Sequence, residues 1–294
     1  MAGISAREIK NRIRSMESTR QITKAMEMVA VSKLRRAQTQ SRNSRPYFEI
    51  LASTIDGIVA ANRDFSSPYL NHRGGEKTAY VVIAGDRGLA GGYNSSVLKL
   101  AWADMEGRDT LVVPIGRKAA DFFKARKTPV FTMPHAGAEE MSMGDCFSVA
   151  GQLCKAYRDG QFDVLHLVYT DFVSALSQVP IQRQMLPLVG EHGGENRDVR
   201  QEILCEPDSA AVFDAIVPEY LGGMIWGALC QSRAAEQAAR RRAMDSATQN
   251  AEDMIADLRV KFNRARQSAI TQEITEIVAG SGGQCPPGTH EKRS

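Results

Sequence analysis

The sequence predicts an α+α/β fold: a long antiparallel two-helix coiled coil formed by the N- and C-terminal segments, with a central Rossmann-like α/β domain. Three observations predict it. Residues 5–60 hold one proline, Pro46, and one glycine, Gly57, whereas ten of the eleven prolines lie after residue 67. The C-terminal segment carries an apolar seam in alternating steps of four and three residues, the period of a left-handed coiled coil. Between these ends, β-rich apolar runs alternate with helical stretches, the pattern of a parallel, doubly wound sheet.

In chain order, Ile9, Ile13 and Met16, then Ile22, Met26 and Val29, recur at helical spacing. Ser5 is placed to cap this helix, with Glu8 as its capping-box partner. A helix of about 50 residues is about 75 Å long, so it needs a partner. In the middle region, strands are expected at Thr78–Ala84, Thr110–Ile115, Pro129–Met133 and Asp163–Thr170. Helices are expected near Ser95–Met105, Arg117–Lys127 and Met143–Arg158. An edge strand is expected at Ser177–Leu188, where Pro180 and Pro187 are tolerable, and residues 190–200 read as a polar loop. From Tyr220 to Ala279 there is no proline. Here the seam runs Met244, Thr248, Ala251, Ile255, Leu258, Phe262, Ala265, Ala269. The two long helices at opposite ends of the chain pair with each other. At Gln272 and Glu276 the seam positions turn polar, so the helix is expected to run on there alone. The chain therefore divides into an N-terminal helix (1–60), an α/β domain (76–210), a C-terminal helix (211–280) and a tail (281–294). The tail holds Pro286-Pro287 and little apolar surface, so it is expected to be mobile and dispensable, with helix ending near Ala279.

Composition excludes several classes. The chain has 294 residues, a net charge of +3 and 43% hydrophobic residues, ordinary for a globular protein. No run approaches the roughly 20 apolar residues of a membrane helix. Residues 1–8 show no export signal, and the five cysteines form no C-x-x-C pair, so reduced thiols are expected. Residues 85–94 (G-D-R-G-L-A-G-G-Y-N) sit where phosphate loops sit. Their spacing fits neither G-x-G-x-x-G nor G-x-x-x-x-G-K-[ST], and a tight strand-to-helix turn is the better reading. His72, His135, His166, His192 and His290 are scattered, and Glu139-Glu140 reads as a solvated pair. No catalytic residue, metal site or cofactor is expected. Residues 1–45 carry eleven basic and three acidic side chains. That stripe suits nucleic acid, membrane phosphates or an acidic protein surface. The lack of aromatics before Tyr47 disfavours base stacking, and the lack of Trp and Phe disfavours a membrane-lying helix.

The end segments decide among these readings. Residues 20–37 read R-Q-I-T-K-A-M-E-M-V-A-V-S-K-L-R-R-A, and residues 263–280 read N-R-A-R-Q-S-A-I-T-Q-E-I-T-E-I-V-A-G. With E-Q-A-A-R-R-R-A-M at 236–244 and D-R-G-L-A-G-G-Y-N at 86–94, the chain resembles the gamma subunits of F-type ATP synthases over residues 1–280. The resemblance implies a non-catalytic central rotor turning inside a hexamer of alpha and beta subunits. It would couple proton flow through the c-subunit ring to ATP chemistry on beta. It implies rotor–stator contacts at Met26, Arg240, Gln267, Thr271, Glu273 and Glu276. It also implies a foot facing the epsilon subunit and the c ring that includes Glu202, Ile203, Cys205 and Glu206. The expected location is peripheral, on the cytoplasmic face of the bacterial plasma membrane, with no nucleic-acid partner. The tail departs from the short apolar end usual in the family, and no chloroplast-type cysteine insert is present.

Overall fold

The structure, a computed structural model, describes residues 6–61, 67–70, 74, 75, 77–131, 137–188 and 208–282. Ser5, loop 190–200, the foot residues 202–206 and most of the tail lie outside them. In chain order the elements are α1 (Ala6–Ala61), β1 (Thr78–Ile83), α2 (Tyr93–Met105), β2 (Thr110–Ile115), α3 (Arg117–Ala125), α4 (Met143–Arg158), β3 (Val164–Phe172), β4 (Gln178–Leu186) and α5 (Ser209–Gly282). The chain separates into two compact units: residues 1–26 with 244–294, and residues 27–243.

In the first unit the start of α1 runs antiparallel to the end of α5. The register is fixed by cross-helix pairs that climb one helix as they descend the other. Thr23 Oγ1 lies 2.7 Å from Thr248 Oγ1, Arg20 pairs with Glu252 at 3.7 Å, and Glu17 with Arg259 at 3.2 Å. Both ion pairs are exposed, so each contributes at most about 1 kcal/mol and sets register more than stability. The seam expected on α5 is buried at Met244, Thr248, Ala251 and Ile255, half-buried at Leu258, Phe262 and Ala265, and exposed at Ala269. From Arg266 to Ala279 every residue is exposed. The helix runs on to Gly282, three residues past the expected end.

The buried face of α1 differs from the expected one. Ile9 is buried and Ile13 and Met16 are half-buried, but Ile22 and Val29 are more than half exposed. The buried positions instead are Thr23, Ala30, Leu34 and Ala37. Small side chains allow close approach of two helices, which a reading weighted to large apolar residues overlooks.

The second unit is a three-layer sandwich. Its sheet has the order β2-β1-β3-β4, parallel except for the antiparallel edge strand β4. Alternation along β1 feeds two cores. Ala79, Val81 and Ile83 pack with α4, the end of α1 (Ile55, Ile58) and the start of α5 (Phe213, Val217, Leu221, Ile225). Tyr80, Val82 and Ala84 pack with α2 and α3 through Val97, Ala101, Ala119 and Phe123. Helix α4 starts at a capping box formed by Ser142 and Asp145. The strand expected at Pro129–Met133 is a correction: among the described residues only an isolated parallel bridge, Val130 to Val112, forms there. Pro129 has no N–H to donate, which limits pairing at that edge. Helix α5 begins before Tyr220 and passes through Pro218, as α1 passes through Pro46. Each proline removes one helical hydrogen bond, and the packed cores on either side outweigh that loss.

Candidate functional site

The loop after β1 is held by a network of hydrogen bonds. Gly85 donates its amide to Asn94 Oδ1 at 2.8 Å, and Asn94 Nδ2 donates to Arg87 O at 3.1 Å, closing the loop onto the first turn of α2. Leu89 and Gly91 take positive φ, 62° and 55°, which turns the chain sharply. The Asp86 carboxylate accepts three amides: Arg117 at 2.9 Å, Ala138 at 3.0 Å and Glu139 at 2.9 Å. It thereby caps α3 and fastens the segment 137–141. Arg233 holds the same segment by donating to the carbonyls of Ala138, at 2.6 Å, and Met141, at 2.6 Å. Burial lowers the pKa of this guanidinium below its ordinary value, and it stays a cation. Lys33 of α1 pairs with Glu139, and its hydrogen bond holds that carboxyl below the ordinary range. The tight-turn reading of residues 85–94 therefore matches this geometry, and Asp86 has a structural duty that the motif alone did not reveal.

Arg240 belongs to this assembly. Its guanidinium pairs with Glu236 at 2.5 Å, with side-chain exposures of 11% and 12%, and also donates to Gly88 O at 3.2 Å. Burial raises the Glu236 pKa, opposed by the Arg240 charge. The next arginine but one, Arg242, donates to Leu176 O at 2.6 Å and to Gln178 Oε1, pinning the β3–β4 turn to α5. The expected contact residues are thus not gathered into one place. Met26 is half-buried on α1, and Arg240 is engaged within its own unit. Gln267, Thr271, Glu273 and Glu276 are exposed on the last turns of α5. There Thr271 Oγ1 donates to Gln267 O at 2.9 Å and Gln272 to Glu276 at 2.9 Å. On the same stretch Ile270, Ile274, Ile277 and Val278 are exposed at steps of four, three and one, a narrow apolar stripe. Glu202, Ile203, Cys205 and Glu206 lie outside the described residues.

Among the described residues no cluster of His, Cys, Asp and Glu is placed to hold a metal ion. Cys146, Cys154 and Cys230 are free and buried, and burial pushes their pKa values up to about 12, 12 and 11. Protonated, enclosed thiols of this kind are poor nucleophiles. Among the described residues no helix is long and apolar enough to cross a membrane.

Comparison with known proteins agrees with this geometry. The family model described as ATP synthase matches residues 5–282. The ATP synthase gamma chain of Heliobacterium modesticaldum is 43% identical over 282 residues, covering 94% of this chain and 97% of the relative. That of Alkaliphilus metalliredigens is 39% identical over 284 residues, covering 95% and 98%. Among solved structures, a chain of the Euglena gracilis mitochondrial ATP synthase OSCP/F1/c-ring assembly shares the fold. Its TM-score is 0.65, with 17% identity and 98% of each chain covered. A chain of the Tetrahymena thermophila mitochondrial ATP synthase central stalk and c ring has a TM-score of 0.56, with 22% identity, covering 77% of this chain and 99% of that one. With a family model spanning nearly the whole chain and relatives near 40% identity over almost all of both sequences, the chain belongs to the ATP synthase gamma-chain family.

Proposed function

We propose that this chain is the non-catalytic central rotor of an F-type ATP synthase. It would turn inside an alpha/beta hexamer and transmit torque between the c ring and the catalytic beta subunits. The observation that carries the reading is the end of α5. A helix whose seam is used up at Ala265 continues for seventeen more residues to Gly282 with every described side chain from Arg266 to Ala279 in solvent. An isolated, exposed stretch of helix that keeps an aliphatic stripe needs an outside partner to cover it. Ile270, Ile274 and Ile277 fit an apolar collar, while Gln267, Thr271, Glu273 and Glu276 face polar stator surface. Met26 adds adaptable packing where neighbours slide past. Arg240 acts one step back, by holding the loop at Gly88 against α5. The residues 202–206 engage epsilon and the c ring, and the complex holds the chain at the cytoplasmic face of the bacterial membrane. Torque then passes through two paired helices, which resist bending better than one, and exposed ion pairs are weak enough to break at each step.

The test uses the assembled, membrane-bound complex with Ile274→Asp and Ile277→Asp together in this chain. ATP-driven proton pumping is expected to fall severalfold while alpha and beta subunits still copurify. Unchanged pumping in that complex contradicts the assignment of the stripe to a stator collar.

A further inference from the structure

The second unit holds a cavity of about 440 Å³ whose lining includes Gly91, Gly92, Ser96, Thr170, Gln178 and Arg242. We infer that it binds a phosphate-type oxyanion, either inorganic phosphate or the phosphoryl end of a nucleotide, without hydrolysing it. Several independent features converge there. The cavity opens at the N-terminus of α2, a helix of 13 residues whose N-cap is Gly92, with no side-chain cap and no acidic residue in its first turn. The positive end of the helix is left for an outside anion. Facing it from the end of β3 is Thr170, 3% exposed, whose Oγ1 has no hydrogen-bond partner. Its amide donates to Ser232 Oγ at 3.3 Å, so the backbone is satisfied and the hydroxyl is not. A buried hydroxyl without a partner is destabilising, and a bound oxyanion would remove that cost. The guanidinium of Arg242, oriented by Leu176 O and Gln178, adds a fixed cation to the lining.

The nearby carboxylates are each engaged by other groups, which weakens their field at the cavity. Asp86 is turned to the amides of Arg117, Ala138 and Glu139, and Glu236 is paired with Arg240. Topology agrees: β2 lies on one side of β1 and β3 on the other, so the cavity sits at the carboxyl ends of β1 and β3, where strand order reverses. That crevice is where doubly wound sheets bind phosphorylated ligands. Residues 85–94 lack a phosphate-loop spacing, so the anion is held by one helix end, one hydroxyl and one arginine rather than by a wrapped loop. The inference goes beyond the rotor reading and does not depend on it.

The experiment titrates the purified full-length chain with inorganic phosphate and, separately, with ADP by calorimetry. Three variants accompany it. Thr170→Val keeps shape and removes the hydroxyl, and affinity is expected to fall about three- to tenfold. Ser96→Glu places a carboxylate at the exposed first turn of α2, where it favours the helix but competes with the ligand, and binding is expected to weaken about tenfold or more. Lys124→Glu, on the exposed surface of α3, makes a charge change twice as large away from the cavity and is expected to leave binding intact. Matching thermal melts establish that the variants fold. Phosphate as tight as ADP identifies a free-phosphate site, and ADP tighter than phosphate, with the same variant pattern, identifies a nucleotide phosphoryl site. Absence of binding by both probes, or equal weakening by Ser96→Glu and Lys124→Glu, overturns the inference.

Discussion

Asp86 shows how one side chain organises the α/β unit. Its carboxylate accepts amides from two separate segments, at the start of α3 and at residues 138 and 139. Removing it leaves those donors short of an acceptor. Asp86→Ala is expected to cost about 2–3 kcal/mol, read as a lower urea midpoint with unchanged slope, and a change below about 0.5 kcal/mol contradicts this role. His166 supplies a pH dependence. Its ring packs tilted against Tyr80 with ring centres 5.3 Å apart, in a group with Asp104, Arg108 and Gln182. Burial lowers its pKa below 6.5, although the Asp104 carboxylate pulls the other way. The folded chain therefore resists protonating it, while the unfolded chain takes the proton near 6.5. Its contribution is present above about 6.5 and is lost as pH falls through the folded value. Acidification from about pH 7.5 to about pH 5.5 is expected to lower the Tm of the natural chain more than that of His166→Phe. Glu236, whose raised pKa acts in the opposite direction, is common to both proteins and cancels. Equal Tm shifts contradict the assignment.

At the scale of elements, β1 to β4 and α4 were readable in the sequence because each had its own pattern, whereas the apolar run at Pro129–Met133 was read as a strand and forms only one bridge among the described residues. Met143–Arg158 reads as a helix between two β-rich runs, and β1, β2 and β3 are rich in β-branched residues. The buried face of α1 was not readable. Helical period identifies a stripe but cannot rank two stripes, and the one chosen by the partner helix is the small one, with Ala30 and Ala37. The roles of Asp86 and Arg233 were also hidden, since each depends on residues more than 30 positions away. The α5 seam was legible because its heptads repeat, and its graded burial now ranks its positions. Ile255→Ala, at 6% exposure, is expected to cost about 2 kcal/mol or more and Ala269→Ser less than about 0.5 kcal/mol, both by thermal or urea unfolding. Comparable costs at the two sites contradict a seam that ends near Ala265.

For the whole molecule, two requirements meet in one chain: a paired-helix unit, and an α/β unit in which stretches of both long helices pack into one of the two apolar cores. The α/β unit supplies buried area and fixed attachment. The end of α5 supplies an exposed surface free to change partners. The contact residues proposed on α5 rest only on the terminal motifs, since nothing in Gln267 or Glu273 taken singly marks a partner. The most direct measurement follows one particle at a time. An alpha/beta hexamer is fixed to a surface around this chain, with Cys205 and Cys285 replaced by serine and a bead attached through Lys124→Cys on α3. On adding ATP, the bead is expected to turn stepwise in one direction, and to stop when ATP is withdrawn. Sustained ATP hydrolysis by the fixed hexamer with a stationary or randomly jittering bead would contradict the rotor function.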